Sequence, residues 1–373
     1  MAAFASASIM DIASERLCRS FLVRSPWKTA RDVVRALGAV QAQDYDGAKW
    51  AVSQRTGLGD DTIEKEFTRG AILRTHVLRP TWHFVDPADI RWMLKLSAPR
   101  IKTIMSSYDR KLGLDEKVYR RSNAVIEKAL RDNKVMLRGA LRETLVRARF
   151  REMDGQRLAR LIMRAELDAI ICSGPHQGKQ QTYALLDERA PAVPVRDRDE
   201  DLLDLTLRYF AGRSPATAHD FSWWSGLSMR DVKQGIDLAA KQLERFEFEG
   251  KTYWRSGRVP TLPGPTAHLL PNYDEYFIGY RDRSAIGRRL GHVGSVTGGS
   301  TLISNVLVVD GQLVGGWRRT VNGDAIVLEA SILARVTRSE RDRLEQAIRA
   351  FEMFAQRKVK VHWLSGKSRA TTR

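Results

Sequence analysis

The sequence predicts an α+β fold in which three helical stretches, each closed by a short β-hairpin, precede a smaller β-rich region. Three observations carry this expectation. Apolar residues recur at helical spacing through most of residues 1–256. Each helical stretch ends in two segments rich in β-branched and aromatic residues around a Gly or Pro turn. After Pro260, Gly, Pro and β-branched residues become denser, and Asp310-Gly311 marks a tight hairpin. With 373 residues, 43% of them hydrophobic, the chain is long enough for two or three domains with sizeable cores.

In residues 1–95, Ile9 to Leu22 has helical periodicity, and Pro26-Trp27 opens a second helix that Gly38 stops. Gly47 to Gln54 and Thr62 to Thr68 continue the helical pattern. Ile72 to Arg79 and Thr81 to Val85 then read as two strands around Pro80. Over 96–196 the pattern returns, with helices at Asn123 to Asn133, Leu137 to Ala148 and Gln156 to Ala165. Strands at Asp168 to Cys172 and Gln181 to Leu186 flank a tip from Ser173 to Lys179. Over 197–258, helices at Asp201 to Ala211, Ala216 to Gly226 and Met229 to Leu243 lead to a hairpin, Phe246 to Trp254, turning at Gly250-Lys251. Ser214 with Pro215, and Ser228, are the expected starts of the last two helices. Helices followed by a hairpin make a winged-helix unit, so 1–258 reads as three such units, alike in topology rather than in sequence. Residues 259–373 form the β-rich region, with strands at Leu302 to Val309, Gln312 to Thr320 and Ala325 to Leu333 and a closing helix from Ser339 to Arg357.

Lys and Arg number 62 against 44 Asp and Glu, a formal charge of +18. That excess favours a polyanionic partner, because neutralising phosphates releases condensed counterions. Cys18 and Cys172 form no disulfide framework, which suits a reducing compartment. No apolar run is long enough to span a bilayer, and Met1 to Met10 lacks the basic lead of a secretory signal. The expected setting is the cytoplasm, in association with the nucleoid and away from membranes.

Standard catalytic motifs are missing. There is no His-Glu-x-x-His and no Cys/His set with zinc spacing. Gly294 to Gly299 lacks the Lys of a phosphate-binding loop and the order of a nucleophile elbow, and reads as a flexible loop. No metal or nucleotide cofactor is expected. The sharper constellation is Val40-Gln41-Ala42-Gln43-Asp44-Tyr45 with Leu78 to Phe84. Residues two apart on an extended segment face one side, so both glutamine amides can converge on one small molecule such as water. On spacing alone, capping or backbone hydrogen bonding is the simpler role.

Four segments, in order along almost the whole chain, resemble the winged-helix DNA glycosylases of the AlkZ/YcaQ type. They are Val40 to Gln43, Arg74 to His83, Leu269 to Arg283 and Val308 to Arg318. The resemblance implies three winged-helix motifs and a C-terminal β-barrel around a concave DNA channel. It also implies that Gln41-Ala42-Gln43 is the catalytic signature of the Gln-apolar-Gln branch, which excises N-alkylated purines, bulky or crosslinked ones included, in repair or self-resistance. The chemistry is coherent. A purine alkylated at N7 or N3 is cationic and leaves without a general acid, through an oxocarbenium-like sugar. A glutamine carbonyl can orient water and aim its dipole at that cation, although it is no effective base. Asp44 and Asp46 are rival bases, but beside a helix the role of cap or solvated charge is the simpler one.

Further expectations attach to that reading. Lys49, Arg74, Thr75, Arg79 and His83, with His176 and Lys179 in the Ser173 to Lys179 region, are the expected DNA contacts. A lone His beside Trp82 is also an ordinary packed side chain. Tyr45, Trp82, Asp274 and Tyr280, with Asp44, would support the site or close the barrel. The implied protein is a cofactor-free monomer acting on double-stranded DNA with alkylated bases. The rival is a non-catalytic winged-helix regulator. Regulators dimerise on palindromes, whereas this chain carries three units itself.

Overall fold

The computed structural model describes residues 11–290 and 305–364. The Gly294 to Gly299 segment, the Met1 to Met10 segment and the first residues of the expected strand at Leu302 to Val309 lie outside them.

The first unit runs α1 (Ile12–Arg19), α2 (Ala30–Leu37), β1 (Val40–Gln41), α3 (Tyr45–Thr56), α4 (Asp60–Arg69), β2 (Leu73–His76) and β3 (Trp82–Val85). Side chains of Asp11, Thr29 and Asp44 cap α1, α2 and α3. The second helix therefore starts at Thr29, not at Pro26-Trp27, because Thr29 offers the cap and Trp27 packs edge-on against Phe21. A long helix, α5 (Ile90–Lys111), leads to the second unit. That unit is α6 (Glu116–Asn133), β4 (Val135–Leu137), α7 (Arg138–Arg147), α8 (Gly155–Leu167), β5 (Ile171–Ser173) and β6 (Thr182–Leu185), followed by the short α9 (Leu186–Arg189). The third is α10 (Arg198–Arg213), α11 (Ala218–Ser225), α12 (Met229–Leu238), β7 (Leu243–Phe248) and β8 (Lys251–Ser256). Here Thr217, not Ser214, caps α11 through a capping box with Asp220. Ala216 is taken up by a bridge to Trp254 on β8. The last hairpin turns at Glu249-Gly250, both at positive φ, one residue before the expected position.

The three units repeat one order of pairing. The first sheet is β1-β3-β2 and the second β4-β6-β5, all antiparallel. In the third the Ala216 bridge stands where β1 and β4 stand. In each, the strand or bridge that precedes the two helices leading into the hairpin pairs with the hairpin's last strand.

The C-terminal region is an open five-stranded sheet rather than a barrel. Its order is β13-β12-β11-β10-β9, with β9 (Ala267–Leu270), β10 (Asn305–Val309), β11 (Gln312–Asn322), β12 (Ala325–Ile332) and β13 (Lys358–Leu364). Among the described residues the edge strands β9 and β13 do not pair with each other, so nothing closes the sheet. Asp310-Gly311 makes the expected tight turn, both residues at positive φ. A short α13 (Glu275–Ile278) precedes the sheet's second strand, and α14 (Arg338–Ala355) packs across β9 and β10.

The first sheet lies between two cores. Val40 and Phe84 face a cluster with α2, α3, α4, the C-terminal sheet and Phe351 of α14. Leu73 and Val85 face a second cluster built on α5, α10, α11 and α12. The second unit keeps a core of its own around Leu130, Leu141, Leu161 and Tyr183. Among the described residues no helix is long and apolar enough to cross a membrane.

Candidate functional site

Antiparallel register places Gln41 opposite His83 and His83 opposite Thr75. Paired residues share a face, so the three form one row across β1, β3 and β2. All three are buried. His83 Nδ1 lies 3.0 Å from Thr81 O and therefore carries the proton, leaving Nε2 as an acceptor. Burial pushes the His83 imidazolium well below the usual histidine range, so the ring is neutral at physiological pH. Neither His83 Nε2 nor Thr75 Oγ1 has a protein partner.

Both glutamines reach the same piece of chain. Gln41 Oε1 accepts from Arg79 Nη2 at 2.5 Å, and exposed Gln43 Oε1 from Trp82 N at 3.4 Å. Ala42 N donates to Trp82 O at 2.7 Å between them. A guanidinium only donates, so the Gln41 carbonyl must face Arg79, which leaves one lone pair. The segment they grip is held in an uncommon conformation. Leu78, buried, has φ 63, and Arg79 N and Thr81 N each bond back two residues, to Val77 O and Arg79 O. Gly226, at the end of α11, packs against this turn. It has φ 69, and a Cβ there would lie 2.2 Å from Leu78 O, so only glycine fits.

A buried carboxylate holds β1 from behind. Glu275 Oε1 accepts from Gln41 N at 2.8 Å, while Oε2 accepts from Arg213 Nη2 at 2.5 Å and Trp224 Nε1 at 2.8 Å. One side chain of α13 thus ties the catalytic-candidate strand to α10 and α11. Sequence reasoning passed over Glu275 inside its own motif. The partners lie 234 and 62 residues away, and only an acid amid apolar residues in Tyr276-Phe277-Ile278 hinted at a buried role.

The remaining sequence candidates divide. Buried Arg74 bonds Ala42 O at 2.9 Å and the Gln181 side chain, and stacks 4.5 Å from the Trp82 ring centre. Burial lowers its pKa. Trp82 also lies over His76, which bonds Glu166. Lys49 is brought to no surface. It is buried against Asp60 at 2.9 Å and Glu64 at 3.0 Å, with Asp46 at 3.9 Å. His176 sits beside it, 3.0 Å from Glu64 and 4.6 Å from the Tyr45 ring, while Tyr45 Oη donates to Glu64 at 2.9 Å. Burial opposes the Glu64 charge, but the bonds from His176, Lys49 and Tyr45 prevail and hold its carboxyl at about 2. Asp44 caps α3, accepting from Gly47 N at 3.1 Å. Lys179 is exposed at the tip. Asp274 is buried in a two-pronged pair with Arg55, and Tyr280 donates to Arg213 O at 2.9 Å under the Arg16 guanidinium. A cavity of about 390 Å³ between α3 and α14, lined by Trp50, Gln54, His268 and Met353, contains neither glutamine.

The chain is 26% identical over 329 residues to an interstrand DNA cross-link repair glycosylase of Streptomyces sahachiroi, covering 83% of this chain and 88% of that protein. Its fold matches the solved structure of Streptomyces sahachiroi DNA glycosylase AlkZ with a TM-score of 0.79 at 22% identity, covering 96% of this chain and all of that one. The family model described as DNA glycosylase AlkZ-like matches residues 34–354. That span includes both glutamines, the Leu78–Trp82 turn and Glu275, and the chain belongs to the AlkZ-like DNA glycosylase family.

Proposed function

We propose that the protein is a monofunctional DNA glycosylase that hydrolyses the N-glycosidic bond of cationic N-alkylpurines. The substrates are N7-alkylguanine and N3-alkyladenine, with bulky or interstrand-crosslinked adducts included, in base excision repair or self-resistance. The observation that carries this is chemical. Two amides converge on the Leu78–Trp82 turn, and the nearby carboxylates are engaged elsewhere, Asp44 as a cap, Asp46 with Lys49 and Arg319, and Glu275 with Arg213. Without a free carboxylate the site suits a base that is already a good leaving group. Gln41 and Gln43 orient water and stabilise the cationic sugar. We read 1–95, 96–196 and 197–258 as winged-helix domains and 259–373 as the fourth domain, arranged around a concave channel that a monomer closes on duplex DNA. Arg79 and Lys179 are the proposed DNA-facing residues, buried Arg74, Thr75 and His83 support the sheet that carries Gln41, and Lys49 and His176 brace the acidic cluster around Glu64. The proposed setting is the nucleoid.

The role of the Streptomyces sahachiroi relative in interstrand cross-link repair supports including crosslinked purines. Incubation with duplexes carrying one N7-methylguanine should produce heat-labile abasic sites at that position. A duplex crosslinked through alkylated purines should resolve into single strands. Lesion duplexes left intact at enzyme excess would end the reading.

A further inference from the structure

Two half-buried arginines, Arg79 bonded to Gln41 and Arg283 near it, feel carboxylates only at a distance, Glu275 at Arg79 and Asp220 and Asp282 at Arg283. The Arg79 side chain has one protein partner, Gln41 Oε1, and its Nε has none. Arg283 donates from Nε to Phe277 O at 2.9 Å and lies 4.7 Å from the Phe277 ring centre, while its Nη2 has no partner. Among the described residues neither forms an ion pair. The acids around them are occupied. Glu275 holds Arg213 and Trp224, Asp282 holds Lys251, and Asp220 faces Arg16 and accepts from the backbone of Arg281 and Asp282. The deeply buried arginines nearby, Arg16, Arg55 and Arg213, each face a carboxylate, as buried guanidinium groups ordinarily must.

The two share one wall. Trp223 and Gly226 lie one turn apart at the end of α11. Trp223 stands 5.8 Å from the Arg283 guanidinium, and a Cβ on Gly226 would lie 3.3 Å from Arg79 Cγ. Both arginines are half-buried. Burial brings each to about 10 against the opposing fields of Glu275 at Arg79 and of Asp220 and Asp282 at Arg283, and the charges of Arg213 and Arg283 add to the effect of burial on Arg79, so both remain charged at neutral pH.

We propose that Arg79 and Arg283 together grip one DNA phosphodiester, the one adjoining the nucleotide presented to Gln41 and Gln43. The guanidinium fork matches a phosphate's paired oxygens. The anion also resolves an electrostatic conflict. Two guanidinium groups without an ion pair beside an oxocarbenium-like sugar would oppose its formation, whereas a bound phosphate offsets their field. The proposal rests on the glycosylase reading for its place beside the lesion. Its test is separable from that reading.

The test is a scan of single methylphosphonates, which remove one charge at a time, along both strands of an N7-methylguanine duplex. Affinity is read at equilibrium and excision in single turnover. One position next to the lesion should cost the wild-type protein about tenfold in affinity, the scale of one charge-assisted hydrogen bond. Arg283→Gln and Arg79→Gln should each bind about tenfold more weakly and be indifferent to charge removal at that position. Arg283→Lys, which keeps the charge, should retain sensitivity there. If Arg283→Gln fails to fold, Arg79→Gln decides against the wild-type scan. A uniform penalty along the backbone, or variants as sensitive as wild type at every position, overturns the clamp. A wild-type protein that binds with the singled-out position but excises nothing overturns the glycosylase reading and leaves the clamp standing.

Discussion

The first and second units share a strand order, yet the rows that cross their sheets differ in kind. In the first, Gln41, His83 and Thr75 lie side by side. In the second, the corresponding register brings together Met136, Tyr183 and Ser173. The second row finishes a core, with Met136 and Tyr183 packed among Leu130 and Leu141. The first leaves His83 Nε2 and Thr75 Oγ1 unpartnered in the protein, each an expense of about 1–3 kcal/mol. One architecture thus serves two ends. Where the row is apolar, it holds a unit together. Where it is polar, stability is given up in the sheet whose first strand carries Gln41, as is usual at a functional site.

If that contrast is functional, altering Gln41 in the first row, or Gln43 two residues beyond it, should stop chemistry before it harms binding. Gln41→Ala and Gln43→Ala should each slow single-turnover excision of N7-alkylguanine by about 10²–10³, the usual loss for one preorganised polar group, with DNA affinity nearly unchanged. Met136→Ala should do the reverse, lowering the melting temperature while the excision rate of the folded protein stays. Gln43→Asp is the finer probe, since a carboxylate at this exposed position can still hold water and extend activity to less activated lesions. A double alanine variant that excises at the wild-type rate would move attention to Asp44 and Asp46.

The units also differ in what their buried ion pairs hold. Arg160–Asp109, at 2.6 Å, fastens the second unit's α8 to α5, whereas Arg213–Glu275 ends on the backbone of Gln41. Removing one partner of a buried pair strands the other charge. Glu275→Ala and Asp109→Ala should therefore each cost about 3–5 kcal/mol in urea unfolding. Only the former should also slow excision under conditions where the protein remains folded. Equal excision by both variants would reduce Glu275 to a structural strut.

A smaller difference is pH sensitivity. The first sheet buries His83, and His268 lies half-buried on β9 with its Nε2 enclosed and its pKa lowered to about 4 by desolvation. The second sheet has no histidine. Each lowered value means that the unfolded chain binds the proton more readily. Their stabilising contribution is therefore full above about pH 6.5, the unfolded value, and is lost as pH falls towards the folded one. Unfolding free energies from urea titrations should drop between pH 6.5 and 4, by up to about 1.4 kcal/mol per pH unit for each histidine. His268→Asn should remove one such slope. An unchanged slope would mean that His268 protonates without unfolding the protein.

Local chemistry made much of this fold legible. The Asp310-Gly311 turn, the Ser228 cap and the recurring helix-to-hairpin order were all readable from neighbouring residues. Elements that depend on distant partners were not. The 22-residue α5 carries Pro99 in its interior, which reads as a break, and tertiary packing against α8 and α10 overrides it. β13 pairs in parallel with β12 across an entire helix, so no turn announces it. The site divides along the same line. Gln41-Ala42-Gln43 stood out because it is contiguous, whereas Glu275 acts across 234 residues. Lys49 looked like a surface cation because the acids that enclose it, Asp60 and Glu64, lie on the next helix.

The least effect is expected at the second unit's hairpin tip, which sets its position apart from the first unit's turn. There Arg79 is bound to Gln41, while at the tip Lys179 is exposed and outside any ion pair among the described residues. His176, expected beside it as a donor, is instead held at 3.0 Å by Glu64. One free lysine on a glycine-flanked tip can touch a phosphate but has no fixed geometry for a base edge. Lys179→Ala should weaken binding to damaged and undamaged duplexes alike, by a few-fold at low salt, and reduce the slope of log affinity against log salt by about one. Fluorescence titrations at several salt concentrations would read both. A loss confined to lesion-bearing duplex, or to one sequence, would place the tip at the lesion and erase the distinction between the two hairpins.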